Sequence, residues 1–91
     1  MKFDVKCVRN YLIKHKVVFT VRRGGRYSGE VYVKDIGICY KKYVRKINDI
    51  HDIKRYVKWS GFDSVEDWWS KIKMFNACAG YLYRVNVVNE K

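Results

Sequence analysis

The chain contains no proline, only six glycines among its 91 residues, and no low-complexity segment. Without such sequence, no stretch has the composition of a linker between two domains. A length of 91 residues is near the lower end of the range for a single hydrophobic core. The sequence therefore predicts one domain over residues 1–91, in which a large internal cavity would cost stability.

Potential metal ligands are also scarce. The three cysteines, Cys7, Cys39 and Cys78, are far apart, and the two histidines, His15 and His51, stand away from them. A structural zinc site uses four such ligands at short, characteristic spacings. We therefore expect no metal and no cofactor. Three unpaired thiols are typical of a reducing compartment.

Long apolar runs are absent as well. No run approaches the length of a membrane-spanning helix, and residues 1–6 lack the apolar core of a signal peptide. These patterns predict a cytoplasmic protein with no membrane partner.

Acidic residues are few, and the excess of basic residues is unevenly placed. The chain has 20 Lys and Arg against 9 Asp and Glu, a net charge of +11. Residues 1–58 hold 16 of the basic and 5 of the acidic residues, whereas residues 59–91 hold four of each. Such charge destabilises a compact fold by self-repulsion, so it favours a role in binding an anionic partner. Phosphate backbones are the usual partners of a strongly basic domain.

Hydrophobic periodicity predicts the order of the elements. Alternating or β-branched runs predict strands, and apolar residues at helical spacing predict helices. A capping box of the Asp63-x-x-Glu66 kind is expected to begin the last helix. The predicted elements are a strand over 1–6, a helix over 7–14, strands over 17–22, 30–34 and 38–47, helical segments over 48–56 and 63–75, and a strand over 81–88. This order predicts an α+β fold with a mixed or antiparallel sheet, curved or closed into a small barrel.

Three segments of the chain carry a recognisable pattern: residues 18–33, which contain Thr20-Val21-Arg22, residues 61–69, which begin with Gly61-Phe62, and the closing residues 81–88. In this order they resemble successive parts of ASCH domains. The resemblance covers roughly residues 10–88. It implies the fold of the PUA-like superfamily, a small, partly open β-barrel with helices packed against it. It also implies recognition of RNA or nucleotides in a cleft between barrel and helices.

Some ASCH domains are enzymes, either amidohydrolases that act on N4-acetylcytidine or ribonucleases. The amidohydrolases use a lysine, a threonine and a glutamate. The resemblance assigns the threonine to Thr20, but Val17 stands in the position of the lysine and Lys16 comes one residue early. The stretch before Gly61 contains no glutamate, and Glu66 is the nearest one. A hydrolase using Lys16, Thr20 and Glu66 is therefore the alternative hypothesis, and these departures favour binding over catalysis.

The segment after the second predicted strand concentrates guanidinium groups. Arg22, Arg23 and Arg26 surround a pair of glycines, and Tyr27 follows them. Guanidinium groups bind phosphate bidentately, and a tyrosine offers a face on which a base can stack. This loop is the strongest candidate for a contact with nucleic acid.

A second basic run lies on the strand predicted over 38–47. Regular alternation places Lys41 and Arg45 on the same face as Tyr43, with Lys42 and Lys46 on the opposite face. Such a run can also be a solvated face that protects a sheet edge. The complete predicted nucleic-acid-binding set is Lys14, Lys16, Arg22, Arg23, Arg26, Tyr27, Lys41, Lys42, Tyr43, Arg45 and Lys46.

These patterns predict a nucleic-acid-binding module. Basic residues interleaved with aromatic residues favour RNA over DNA, because single-stranded or structured RNA exposes bases that can stack. The hydrolase is one alternative, and an interaction module for an acidic protein partner is another. The sequence leaves the oligomeric state open.

Overall fold

The computed structural model describes residues 3–24 and 28–90, with side chains as far as Val88. The elements are helix α1 (Lys6–His15), strands β1 (Val17–Arg22), β2 (Gly29–Val33) and β3 (Gly37–Lys46), 3-10 helices η1 (Ile50–Asp52) and η2 (Lys54–Trp59), helix α2 (Val65–Met74) and strand β4 (Tyr81–Glu90). The predicted helix over 7–14 and the predicted strands over 17–22, 30–34, 38–47 and 81–88 are therefore confirmed to within two residues at each end.

The predicted first strand is wrong over the part of it that the structure describes. Residues 3–5 are irregular, and α1 already begins at Lys6. Phe3 is nevertheless buried, with 6% of its surface exposed, and it packs into the core beside α1. The alternation of Phe3 and Val5 therefore reflects a segment anchored on the core and not a sheet pairing.

Helix α1 passes into β1 through a single residue. Lys16 has a left-handed backbone with φ 65°, and its N–H donates to the carbonyl of Leu12 at 2.8 Å. This geometry ends the helix and turns the chain at once into the strand. Val8 and Leu12, one turn apart, are the buried residues of the helix, so α1 packs along one stripe.

The region predicted as one helix over 48–56 forms the two 3-10 helices. The side chain of Asp49 caps the first of them by accepting from the N–H of His51 at 2.8 Å. The carboxylate of Asp52 accepts from the N–H of Asn48 at 2.8 Å and forms an ion pair with Arg45 at 2.9 Å. These local hydrogen bonds favour a tight turn over a continuous α-helix.

Helix α2 begins one residue later than the capping box predicted. Ser64 is the N-cap, and its Oγ accepts from the N–H of Asp67 at 3.1 Å. Glu66 and Asp67 lie in the first turn, where negative charge is favourable near the positive end of the helix dipole.

One sheet joins all four strands in the order β1-β4-β3-β2, and every pairing is antiparallel. The α+β class and the antiparallel sheet are thus confirmed. The last strand in the chain lies in the interior, between β1 and β3. Among the described residues, β1 and β2 are the two edges and do not pair, so the sheet is not closed into a barrel.

Two hydrophobic clusters pack against the sheet. Alternate residues of β4 point to opposite faces, and the clusters divide accordingly. Tyr83 and Val85 join the cluster under α1, whereas Leu82 joins the cluster under α2 and the 3-10 helices.

Among the described residues, no helix combines the length and the apolar character that crossing a bilayer requires.

Candidate nucleic-acid interface

A cleft of about 470 Å³ lies where the end of β1 meets the segment before α1 and the inner side of α2. We call it the β1 cleft. Thr20 and Arg22 of β1 line it, together with Phe3, Phe62 and Ile72 from the flanking elements. Alternation along β1 points Thr20 and Arg22 to the same side of the strand, so the fold brings together two of the residues on which the family resemblance rests.

Arg22 is the most unusual side chain of this cleft. Its guanidinium carbon lies 4.6 Å from the centre of the Phe3 ring. Its Nε is buried and has no hydrogen-bond partner among the described residues. Burial lowers the pKa of the Arg22 guanidinium, and the nearby carboxylate of Asp4 partly offsets that effect. A buried donor without a partner costs free energy, so Arg22 is the polar group of this cleft that most lacks an acceptor.

The other polar groups of the cleft are mostly basic. Arg23 and Lys71 line it, and Asp4 is the acidic residue among its described lining. Thr20 contributes a hydroxyl on a residue with only 8% of its surface exposed. The positive charges therefore outnumber the negative ones, which favours an anionic ligand.

Aromatic rings form much of the wall opposite β1. The rings of Phe62 and Trp68 are nearly parallel, at 14°, with centroids 6.4 Å apart. Phe75, at the end of α2, also lines the cleft and keeps 51% of its surface exposed. A cleft with aromatic walls and a guanidinium in its floor can hold a flat ring and an attached anionic group.

The residues of the alternative catalytic set are not brought together. Thr20 lines the cleft, but neither Lys16 nor Glu66 is among its lining residues. Lys16 precedes the other end of β1, and four residues of strand separate two Cα atoms by roughly 13 Å. Glu66 is exposed in the first turn of α2.

Strands β1 and β2 are the opposite edges of the sheet, and each described end of the basic segment between them is hydrogen-bonded to the sheet. The hydroxyl of Tyr83 donates to the carbonyl of Gly24 at 3.3 Å, and the N–H of Tyr43 donates to Ser28 Oγ at 3.0 Å. These hydrogen bonds fix Gly24 and Ser28 against β4 and β3. The predicted contacts Arg26 and Tyr27 lie outside the described residues.

The predicted faces of the second basic run are partly wrong. Tyr43 pairs with Tyr83, but Arg45, and not Val44, pairs with Leu82. This bulge adds a residue to β3, and one extra residue reverses which face the following side chains occupy. Lys46 therefore lies on the face of Tyr43, and Arg45 lies on the opposite face.

Most of this run is engaged within the fold. Lys41 is 6% exposed, and its Nζ lies 4.6 Å from the centre of the Tyr83 ring. Lys46 donates to the carbonyl of Ala79 at 2.8 Å, and Arg45 forms the ion pair with Asp52 described above. Lys42, in contrast, is exposed to solvent. The run therefore does not form one continuous basic surface.

The two predicted lysines of the α1 region lie at the C-terminal end of that helix. Lys14 and Lys16 are both exposed, and neither lines the β1 cleft. A lysine in the last turn of a helix stabilises it through the helix dipole, which is a sufficient structural reason for Lys14.

Two basic residues, one of them in the cleft, were not singled out in the sequence. Lys71 lies three residues after Trp68, so it shares the helical face that looks into the cleft. A basic residue on an otherwise apolar helical face is a signal that the sequence carries. Arg84 on β4, which pairs with Lys42 and Phe19, was not singled out either.

Among the described residues, no group of three or more His, Cys, Asp or Glu side chains gathers to hold a metal ion. Burial raises the pKa of the Cys39 thiol, which makes it a poor nucleophile.

Comparison of the chain with family models, with curated proteins and with solved structures gave no significant match.

Proposed function

We propose that the chain is a nucleic-acid-binding module that prefers RNA and uses the β1 cleft. The observation that carries the proposal is the buried Nε of Arg22, which has no partner among the described residues of this cleft. A phosphate or a base edge presents the acceptor that this donor needs. The aromatic walls offer stacking, and Arg23 and Lys71 add positive charge at the same site.

A relationship to ASCH domains is part of this proposal. Thr20 and Arg22 come from one segment of the resemblance and Phe62 from another, and all three line the same cleft. A PUA-like, partly open barrel would further require the sheet to curve so that β1 approaches β2. A cytoplasmic location remains a prediction from the sequence.

Binding without turnover fits the cleft better than hydrolysis does. The hydrolase hypothesis needs a base or acid beside Thr20, and neither Lys16 nor Glu66 lines the cleft. An N4-acetylcytidine hydrolysis assay tests this alternative directly, and turnover that Thr20→Val abolishes would favour the enzyme.

The test is a salt titration of binding to single-stranded RNA, duplex RNA and duplex DNA. We expect tight binding to RNA that weakens steeply with salt, because released counterions drive the association. The variant Arg22→Met keeps much of the stem over Phe3 but removes the guanidinium, and it should lower RNA affinity about tenfold or more.

The matched control is Lys34→Met, which removes one positive charge from the exposed turn between β2 and β3. It should leave affinity within about twofold of the wild type. Equal losses from both variants would show that only net charge matters and would contradict a role for the cleft. Binding to an acidic protein in place of nucleic acid would favour the third hypothesis.

A further inference from the structure

The face of the sheet opposite α1 carries exposed side chains beyond the region packed by the 3-10 helices. Lys42 of β3 pairs with Arg84 of β4, and Arg84 pairs with Phe19 of β1. Tyr40 precedes Lys42 by two residues, so its side chain points to the same face. We call the surface formed by Tyr40, Lys42 and Arg84 the open face; Phe19, which packs against η2, borders it.

The centre of the open face is a pair of like charges. Lys42 and Arg84 occupy directly opposed positions on neighbouring strands, and both are exposed. Like charges at such positions destabilise a sheet. Among the described residues, neither side chain makes an ion pair. An anion bound between them would remove this repulsion. The fold by itself gains no stability from placing the two positive charges side by side.

Aromatic rings border the charge pair on the side of β1. The ring of Phe19 stacks on Tyr56 with centroids 5.1 Å apart and planes at 23°, and it lies 5.6 Å from the ring of Trp59. The Nζ of Lys58 lies 4.3 Å from the centre of the Trp59 ring. Aromatic surface and a further cation therefore continue from the sheet onto η2.

Another ring lies beside the charge pair, two residues before Lys42 on β3. Tyr40 keeps 39% of its surface exposed, and its partner on β2 is Glu30. Two strand spacings, about 10 Å, separate β3 from β1. Phe19 thus lies next to Arg84 across the sheet, and Tyr40 lies next to Lys42 along β3, with the acidic Glu30 beyond Tyr40 on β2.

We propose that the open face binds a single-stranded segment of nucleic acid, about three nucleotides long. Its bases stack on Tyr40 and beside Trp59, and a phosphate lies between Lys42 and Arg84. Rings and cations in alternation match a chain in which bases and phosphates alternate. An acidic protein segment would use the charges but not the rings. This surface is separate from the β1 cleft and shares with the proposed function only the class of ligand.

The charge pair is tested with the double variant Lys42→Gln/Arg84→Gln. Binding of a fluorescent single-stranded RNA is measured over a series of salt concentrations. We expect affinity to fall about tenfold, and the slope of log affinity against log salt to fall by about 0.7, the contribution of the single phosphate held between the two side chains. Replacing two positive charges that repel each other does not destabilise the sheet, so RNA binding by the folded variant can be measured.

The matched control is Lys34→Gln/Lys73→Gln, which removes two exposed charges outside the open face, one in the β2–β3 turn and one on α2. Its salt slope should equal that of the wild type. Equal slopes for the two double variants would overturn the open-face proposal.

The stacking contribution is tested at Tyr40. Tyr40→Val removes the ring but keeps a residue suited to a strand, and it should lower affinity about tenfold. Tyr40→Phe keeps the ring and should bind like the wild type. Thermal unfolding of both variants shows whether the fold is intact. If the Tyr40→Val protein is folded and binds RNA with the affinity of the wild type, no base stacks on Tyr40 and the open-face proposal is overturned.

The outcomes for the two surfaces are distinguishable. If Arg22→Met weakens binding and the open-face variants do not, the open face is wrong and the cleft stands. If the open-face variants weaken binding and Arg22→Met does not, the cleft is wrong and the open face stands. If the wild type binds no nucleic acid in a salt-sensitive way, both proposals are overturned.

Discussion

At the scale of single residues, environment separates basic side chains that look alike in the sequence. Lys41 is buried against a tyrosine ring, whereas Lys42, its neighbour, is exposed on the other face. Arg22 is largely withdrawn from water, whereas Arg23 is exposed. The net charge predicts that basic residues matter, but it does not say which of them remain available to a ligand.

Gly61 shows a backbone constraint at this scale. It has φ +89°, and a Cβ there would lie 2.7 Å from the carbonyl oxygen of Cys7 in α1. We expect Gly61→Ala to lower the free energy of unfolding by on the order of 1–3 kcal/mol, through both the strained backbone and the clash. Chemical denaturation measures this loss.

Gly29→Ala is the control for that substitution. Nothing lies within 4 Å of a Cβ added at Gly29, so its change in unfolding free energy should stay within about 0.5 kcal/mol. Similar losses for the two variants would mean that Gly61 is not constrained by its contact with α1.

At the scale of the elements, strand and helix positions were predictable because their periodicities are local. Errors arose where a partner elsewhere in the chain decides the local structure. The extra residue Val44 in β3 shows up only in the pairing with β4. Likewise, apolar and polar residues alternate over residues 3–5 as they do in a strand. These residues form no strand, because β1 pairs with β4 and not with them.

The start of α2 gives a prediction at this scale. Ser64→Ala should destabilise the protein by about 1 kcal/mol, because it removes the side-chain acceptor for the N–H of Asp67. The thermal unfolding midpoint reports the loss. Asp63→Ala should cost less, since Asp63 precedes the cap. A larger loss at Asp63 would instead support the capping box predicted from the sequence.

At the scale of the whole molecule, stability depends on pH through a carboxylate that joins β3 to η1. Hydrogen bonds from the N–H groups of Asn48 and Asp49, and then the charge of Arg45, lower the pKa of Asp52 below its ordinary value of 3.8. The folded state thus binds fewer protons than the unfolded chain there. The stabilisation is complete above the unfolded pKa and is lost as pH falls through the lower, folded pKa.

We therefore expect the unfolding midpoint of the wild type to fall as pH drops below about 4. Asp52→Asn should be less stable than the wild type at neutral pH, and the difference should shrink in acid. Asp63→Asn, at an exposed position outside this turn, should instead follow the wild-type profile. A constant gap between Asp52→Asn and the wild type at all pH values would contradict the role of the charge.

The sequence by itself determined the α+β class, the four main strands, the two α-helices and the basic character, because composition and periodicity are local properties of the chain. Only the tertiary structure decided that β4 lies between β1 and β3, and that Thr20, Arg22, Phe62 and Lys71 share a cleft. It also decided that Lys42 opposes Arg84, 42 residues later in the chain. These arrangements depend on pairing and packing between distant segments, and no local pattern encodes them.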